Sequence, residues 1–231
     1  MSVPDRSVEM IETIALGLDD LLDSVVFIGG AAAACYIDNP AAGGIRPTDD
    51  VDCVVSIATM TEYYSFEEKL RVRGFSNLAE PGAPLCRWKY RDVKVDIMPS
   101  DPGILGFSNI WYRTGIDTSV TASLPSGRTI RIFTLPLFVA SKLEAYKSRA
   151  GNDPRFSHDI EDIILVLDGQ LDMSRLLDAP GDVLDYLRLE FRALLADVRF
   201  FESAIGCIGH GATGPERAKA LGEFLMNFSI G

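Results

Sequence analysis

Hydrophobic positions recur at helical spacing near the start of the chain and then merge into a short apolar run. The spacing predicts an amphipathic helix over residues 7–22, and the run Val25–Ile28 predicts a short buried strand. Gly29 and Gly30 end that run, and the small residues after them predict a second helix over residues 31–37.

The pattern in the rest of the first half predicts mainly strands. A loop rich in Pro, Gly and Asn leads to a predicted strand over residues 50–57, and helical spacing predicts a helix over 61–73. Residues 85–90 and 93–98 predict a β-hairpin that turns on Arg91 and Asp92. A further short strand is predicted over residues 129–133.

After Thr134 the pattern changes to helical spacing with few strand signals. The sequence therefore predicts an α+β fold, in which a mixed sheet flanked by helices in residues 1–133 precedes a helical domain in residues 134–231. The predicted helices of the second part cover residues 135–149, 159–167, 183–200 and 216–228.

Charge and composition narrow the classes of partner. The chain has 33 acidic and 22 basic residues, a net charge of −11, which disfavours an extended grip on nucleic acid and leaves room for a local basic patch. No apolar run approaches the roughly 20 residues of a membrane span, and no export signal is evident, so we expect a cytoplasmic protein without membrane contact. The four cysteines lack zinc-ligand spacing and are expected to be free thiols.

Two aspartates lie at alternate positions of a predicted strand. Asp50 and Asp52 should share one face, while Val51 and Cys53 face the core. Alpha carbons two positions apart on a strand are about 7 Å apart, a separation from which two carboxylates reach a pair of metal ions about 4 Å apart. Hard oxygen ligands of this kind suit Mg²⁺ or Mn²⁺.

A third carboxylate and a basic residue are predicted beside this pair. In the strand over residues 93–98, Asp96 points away from the apolar positions and toward the same site. If the hairpin turns on Arg91 and Asp92, Lys94 pairs with Lys89 and Arg87 lies opposite Asp96, which predicts a small basic cluster that could bind phosphate.

Gly29 and Gly30 lie between a strand and a helix, where backbone N–H groups can approach an anion such as a triphosphate. Taken singly, a glycine pair after a strand is usually a tight turn, and an Asp-x-Asp is usually a solvated strand edge. In this order, however, the glycine pair, Asp50-Val-Asp52 and the lone Asp96 resemble the polymerase-β-like nucleotidyltransferase superfamily.

Further residues are similar to the AbiEii-type branch of that superfamily, which includes toxins of bacterial toxin–antitoxin and abortive-infection systems. The resemblance spans roughly residues 25 to 168. Where many relatives carry a polar residue after the glycines, this chain has Ala31. The matching positions are Arg46, Thr48, Asp50 and Asp52 in an R-x-T-x-D-h-D signature, Lys142 on a helix, and Asp159 and Asp162 in a D-x-x-D motif.

The resemblance implies a two-lobed enzyme in which the helical domain closes a nucleotide cleft. It implies that Asp50, Asp52 and Asp96 bind the metal ions and transfer a nucleoside monophosphate from a nucleoside triphosphate to an acceptor hydroxyl. An RNA or tRNA end is one acceptor, and an antitoxin protein would be a partner. A small-molecule or protein acceptor, or a non-catalytic nucleotide-binding module, remain alternatives.

The supporting residues also have ordinary structural explanations. Arg46 and Thr48 are candidates for nucleotide binding. Lys142 is implied to lie near the triphosphate, and Arg149, at the end of the same predicted helix, is a further candidate. The structural alternative for Lys142 and Arg149 is an ordinary helical cation, Arg149 being favoured there by the helix dipole. Acidic residues are common in a first helical turn, yet Asp159 or Asp162 could instead orient Lys142.

Overall fold

The computed structural model describes residues 6–78, 84–149, 153–208 and 212–231. The chain forms two compact units, of which the first comprises Met1–Cys35 and Pro47–Thr134 and the second comprises Tyr36–Arg46 and Leu135–Gly231. A single boundary at residue 133 therefore does not describe the division, because residues 36–46 belong with the later helices.

The first unit is built on a seven-stranded mixed sheet. The sequence predicted a mixed sheet and five of its strands, but not the short strands Ser76–Asn77 and Val120–Ser123. The strands are β1 (Val25–Ile28), β2 (Asp50–Val55), β3 (Ser76–Asn77), β4 (Arg87–Tyr90), β5 (Val93–Pro99), β6 (Val120–Ser123) and β7 (Thr129–Ile132). The strand order is β3-β4-β5-β2-β1-β7-β6, with β1 parallel to β7, β2 parallel to β5, and the other neighbours antiparallel.

Apolar side chains cover one face of the central strands and leave carboxylates on the other. Tyr90 packs on helix α1 (Arg6–Leu18), since a Cβ on Gly17 would lie 2.7 Å from its ring. Strand alternation thus directs the polar residues of β2 and β5 to the opposite face. The buried side chains of the apolar face include Phe27, Val51, Cys53, Trp88 and Val95.

Helix ends in the first unit differ from the periodic pattern for local reasons. The opening helix stops at Leu18 instead of residue 22, because Asp19 adopts a positive φ of 50° and a 3-10 segment follows. Helix α2 (Gly29–Ala32) is a single turn that continues as 3-10 helix to Tyr36. Helix α3 (Met60–Val72) is followed later by two short helices that the pattern did not predict, α4 (Pro102–Leu105) and α5 (Tyr112–Asp117).

The second unit contains five α-helices in its described residues, where the sequence predicted four. The predicted helix over residues 183–200 is divided, because the Asp197 carboxylate accepts the backbone N–H of Arg199 at 3.0 Å and begins a new helix. Within the described ranges no helix is long and apolar enough to cross a bilayer. The five are α6 (Leu135–Ser148), α7 (His158–Asp168), α8 (Gly181–Leu195), α9 (Val198–Ile208) and α10 (Gly214–Ile230).

Hydrogen bonds explain why residues 36–46 belong to the second unit. The backbone N–H of Asp38 donates to the carbonyl of Gly169 at 3.0 Å, directly after α7. Arg217, on α10, donates to the carbonyl of Ala41 at 2.6 Å. These partners are distant in sequence, so local periodicity carries no sign of them.

Candidate functional site

The turn after β1 is shaped around the Asp52 side chain. Gly29 has a φ of +72°, a conformation that L-residues rarely adopt. A Cβ at Gly29 would lie 2.0 Å from Asp52 Oδ2 and 2.7 Å from Asp52 Cβ. Gly30 follows, buried, in the single turn of α2. Only glycine fits at residue 29, because the aspartate occupies the space that any side chain would need.

Strand register brings distant residues into one row across the sheet. Asp52 of β2 pairs with Ile28 of β1 on one side and with Asp96 of β5 on the other. Arg87 of β4 pairs in turn with Asp96. Asp50 lies two positions before Asp52 and therefore on the same face. The structure thus brings the three predicted carboxylates together beside the glycine turn.

Arg87 binds two of these carboxylates. Its Nε donates to Asp96 Oδ1 and its Nη2 to Asp96 Oδ2, both at 2.7 Å, and Nη2 also lies 3.3 Å from Asp50 Oδ2. The hydrogen bonds to Asp96 raise the pKa of the guanidinium above its usual value, while burial acts in the opposite direction. The predicted hairpin register is confirmed, and it sets Arg87 against Asp96.

Two further polar residues adjoin the carboxylates. The Thr48 hydroxyl lies 3.2 Å from Asp50 Oδ1. This contact orients the Asp50 carboxylate. Lys94 pairs in register with Asp50 and, two positions before Asp96, shares its face of β5. The predicted pairing of Lys94 with Lys89, which placed a basic cluster beside Asp96, is confirmed.

Buried cysteines lie close to the carboxylates. Burial, and then the negative charge of Asp96, raises the pKa of the Cys86 thiol to about 12. Burial likewise raises the pKa of Cys53 well above its ordinary value, with Asp52 and Asp96 contributing in the same direction. Both thiols therefore stay neutral near pH 7.

The carboxylate set suits a hard divalent ion such as Mg²⁺ or Mn²⁺. As the side chains stand in the described residues, no group of three His, Cys, Asp or Glu residues is arranged to hold a metal ion. Arg87 supplies a positive charge beside these carboxylates, with its guanidinium on both oxygens of Asp96. The oxygen ligands of Asp50, Asp52 and Asp96 are therefore of the kind that a divalent cation prefers. Arg87 contacts the two oxygens of Asp96 that such a cation could bind.

The second unit holds a separate buried cluster around Lys142. Its Nζ lies 2.7 Å from Asp162 Oδ2 and 3.3 Å from Asp159 Oδ1. Both carboxylates project from α7, one turn apart, and their side chains are only 2–3% exposed. A lysine held by two buried carboxylates has a fixed position.

Two arginines extend this cluster. Arg149 Nε lies 3.3 Å from Asp159 Oδ2, and Arg46 Nε lies 3.5 Å from Asp162 Oδ1. Arg46 also lies 3.7 Å from Glu161, a residue that the motif comparison passed over. Its position inside the D-x-x-D motif was the available signal. The five residues predicted here from the resemblance therefore meet in one ion cluster.

Comparisons with known proteins add little to this geometry. No family model matches the chain, and no curated protein does. Nine chains of solved structures match. One is the solution structure of the antibiotic-resistance factor ANT(2'')-Ia, with 15% identity, 81% of this chain and 94% of that chain covered, and a TM-score of 0.49. Another is ANT(2'')-Ia in complex with adenylyl-2''-tobramycin, with 14% identity, coverage of 96% and 98%, and a TM-score of 0.34.

Proposed function

We propose that this protein is a metal-dependent nucleotidyltransferase that moves a nucleoside monophosphate from a nucleoside triphosphate to an acceptor hydroxyl. The observation that carries the proposal is the placement of Asp50, Asp52 and Asp96 on one face of two parallel strands, beside a glycine turn shaped around Asp52. Carboxylates grouped in this way are suited to binding the cations that accompany a triphosphate.

The proposed reaction is an in-line displacement at the α-phosphorus. The acceptor oxygen forms a bond to that phosphorus, the bond to the β-phosphate oxygen breaks, and pyrophosphate leaves. Asp50, Asp52 and Asp96 would hold Mg²⁺ or Mn²⁺, which supplies charge neutralisation and lowers the pKa of the attacking hydroxyl. Thr48 keeps the Asp50 carboxylate in one orientation, and the hydroxyl proton passes to a carboxylate or to solvent.

The ion cluster of the second unit is proposed to bind the triphosphate. Lys142 would supply the principal positive charge, with Arg46 and Arg149 beside it. Asp159 and Asp162 would hold the lysine ammonium in place, since their oxygens lie 3.3 and 2.7 Å from it. An ammonium fixed by buried carboxylates loses little further side-chain entropy when an anion binds.

Two classes of acceptor follow from different observations. The resemblance to AbiEii-type toxins favours an RNA or tRNA end, with an antitoxin protein as the silencing partner. The net charge of −11 favours a small cationic molecule that carries a hydroxyl, because an acidic surface attracts cations and repels a phosphate backbone. If the protein is a toxin, the RNA end is the favoured acceptor. If the net charge alone decides, the cationic small molecule is favoured.

Label transfer from each α-labelled nucleoside triphosphate with Mg²⁺ tests the proposal. The reactions contain total cellular RNA, an aminoglycoside as a probe with amines and hydroxyls, or no added acceptor. Wild-type protein should release pyrophosphate and label one acceptor, and Asp52→Ala should reduce both signals to background.

Asp92→Ala is the matched control, because Asp92 is an exposed aspartate in the turn between β4 and β5. It should transfer label as the wild type does. Undiminished turnover in Asp52→Ala would overturn the assignment of the site. Label on RNA supports the toxin-type acceptor, whereas label on the aminoglycoside supports the small-molecule acceptor. Growth arrest on expression that Asp52→Ala relieves would support the toxin role further.

A further inference from the structure

Arg87 donates hydrogen bonds to two of the carboxylates that are proposed to bind metal ions. Both oxygens of Asp96 accept a hydrogen bond from its guanidinium, and Asp50 Oδ2 lies 3.3 Å from the same group. The Asp96 and Arg87 side chains are 11% and 25% exposed, so solvent does little to weaken the pair. A bidentate arginine–carboxylate pair is among the stronger ion pairs in proteins.

We propose that Arg87 is an exchangeable counter-ion, which holds the carboxylates together before metal binds and gives up Asp96 when metal binds. This inference rests on the proposed function. The formal charge of the three carboxylates is −3, and Arg87 reduces it to −2. A divalent cation held by Asp96 would bind a carboxylate whose oxygens now accept from Arg87, so the arginine and the cation would compete for Asp96.

The exchange gives Arg87 a second partner at the same site. A guanidinium released from one carboxylate is suited to bidentate contact with a phosphate group. Arg87 would then leave Asp96 for the triphosphate as the metal-bound nucleotide arrives. Arg87 is therefore a positioning residue for the carboxylates in the metal-free protein and a phosphate ligand in the loaded protein.

Replacing the guanidinium should separate these two roles. Without nucleotide, Arg87→Met should bind Mn²⁺ about tenfold more tightly than the wild type, because the competitor for Asp96 is gone and the local charge is more negative. With Mn²⁺ present, the same variant should bind a non-hydrolysable nucleoside triphosphate at least about tenfold more weakly. A residue that only stabilised the fold would not produce opposite changes in the two affinities.

Isothermal titration calorimetry measures both affinities, and Arg91→Met is the matched control. Arg91 lies in the turn of the same hairpin, where its guanidinium is 5.5 Å from the Tyr90 ring centroid, and its replacement should alter neither affinity. Thermal unfolding in EDTA should show a lower Tm for Arg87→Met than for wild type, and Mn²⁺ should narrow the difference. Arg87→Lys keeps the charge without the bidentate fork and should give smaller changes of the same sign.

The outcomes separate this inference from the proposed function. If wild type and Asp52→Ala bind Mn²⁺ alike, the carboxylates are not the metal site and the proposed function fails together with the inference. If wild type binds Mn²⁺ at Asp52 and Arg87→Met binds it no more tightly, the counter-ion inference alone is overturned. Should Arg87→Met not fold, the same comparison is made with Arg87→Lys, and an Mn²⁺ affinity equal to that of wild type refutes the exchange.

Discussion

Replacing Gly29 with alanine perturbs the site through the smallest possible change. The added methyl group would lie 2.0 Å from Asp52 Oδ2 and 2.7 Å from Asp52 Cβ. Rotation about χ1 can move the oxygen away, but it leaves the Cβ where it is. Carbon atoms in contact are normally about 3.5–4.0 Å apart, so the turn or β2 must shift by about 1 Å.

The free-energy cost has two parts. At φ +72° alanine pays about 1–2 kcal/mol for a left-handed backbone. Overpacking against Asp52 adds about 1–3 kcal/mol. The first part is shared with Gly127→Ala, since Gly127 has a φ of +82° and no atom within 4 Å of its would-be Cβ. Gly29→Ala should therefore lose about 1–3 kcal/mol more than Gly127→Ala.

Urea unfolding followed by tryptophan fluorescence measures this difference. Both tryptophans, Trp88 and Trp111, belong to the first unit, so the signal reports the unit that holds both glycines. Label transfer by Gly29→Ala should fall about 100-fold or more, as expected when a catalytic carboxylate moves by about 1 Å. Gly127→Ala should transfer at the wild-type rate. Equal stability of the two variants together with normal transfer by Gly29→Ala would refute the claim that Asp52 is held against this turn.

Two further predictions concern buried ionisable groups. Lys142→Met leaves Asp159 and Asp162 without the lysine between them and should lower the free energy of unfolding in urea by about 3–5 kcal/mol. Lys147→Met removes a more exposed cation of the same helix and should lower it by less than about 1 kcal/mol. Similar losses of stability in the two variants would show that the cluster is not buried as described. Because the pKa of Cys86 is raised from 9.0 to about 12, its contribution to stability is fully present below pH 9 and is lost as pH rises toward 12. Between pH 9 and pH 12 the urea midpoint should fall less steeply for Cys86→Ala than for wild type. An equally steep fall in the two proteins would argue against a raised pKa of Cys86.

Local patterns were sufficient where an element and its partner are close in sequence. The apolar run of β1 and the hairpin formed by β4 and β5 were predicted from adjacent residues, and the hairpin turn alone placed Arg87 opposite Asp96. The alternation in β2 likewise set Asp50 and Asp52 on one face. These features need only strand periodicity and a turn, both of which are written in a few consecutive residues.

Features that depend on distant partners were not predictable in this way. The parallel pairing of β2 with β5, which sets Asp52 beside Asp96, has no local signal because parallel strands are joined by long connections. The attachment of residues 36–46 to the second unit rests on Gly169 and Arg217. Arg87 donates a hydrogen bond to each oxygen of Asp96. The strand register allows this pairing, but the side-chain conformation of Arg87 decides it.

The R-x-T-x-D-h-D signature illustrates how one short motif can serve two parts of a protein. Arg46 ends the segment of the second unit and pairs with Asp162, whereas Thr48, in the first unit, hydrogen-bonds Asp50. Pro47 lies between them and has no N–H to offer. Replacement of Arg46 should therefore act on the ion cluster around Asp162, and replacement of Thr48 on the carboxylate of Asp50. Adjacency in the motif is thus compatible with separate structural roles, and the contacts of each residue assign them.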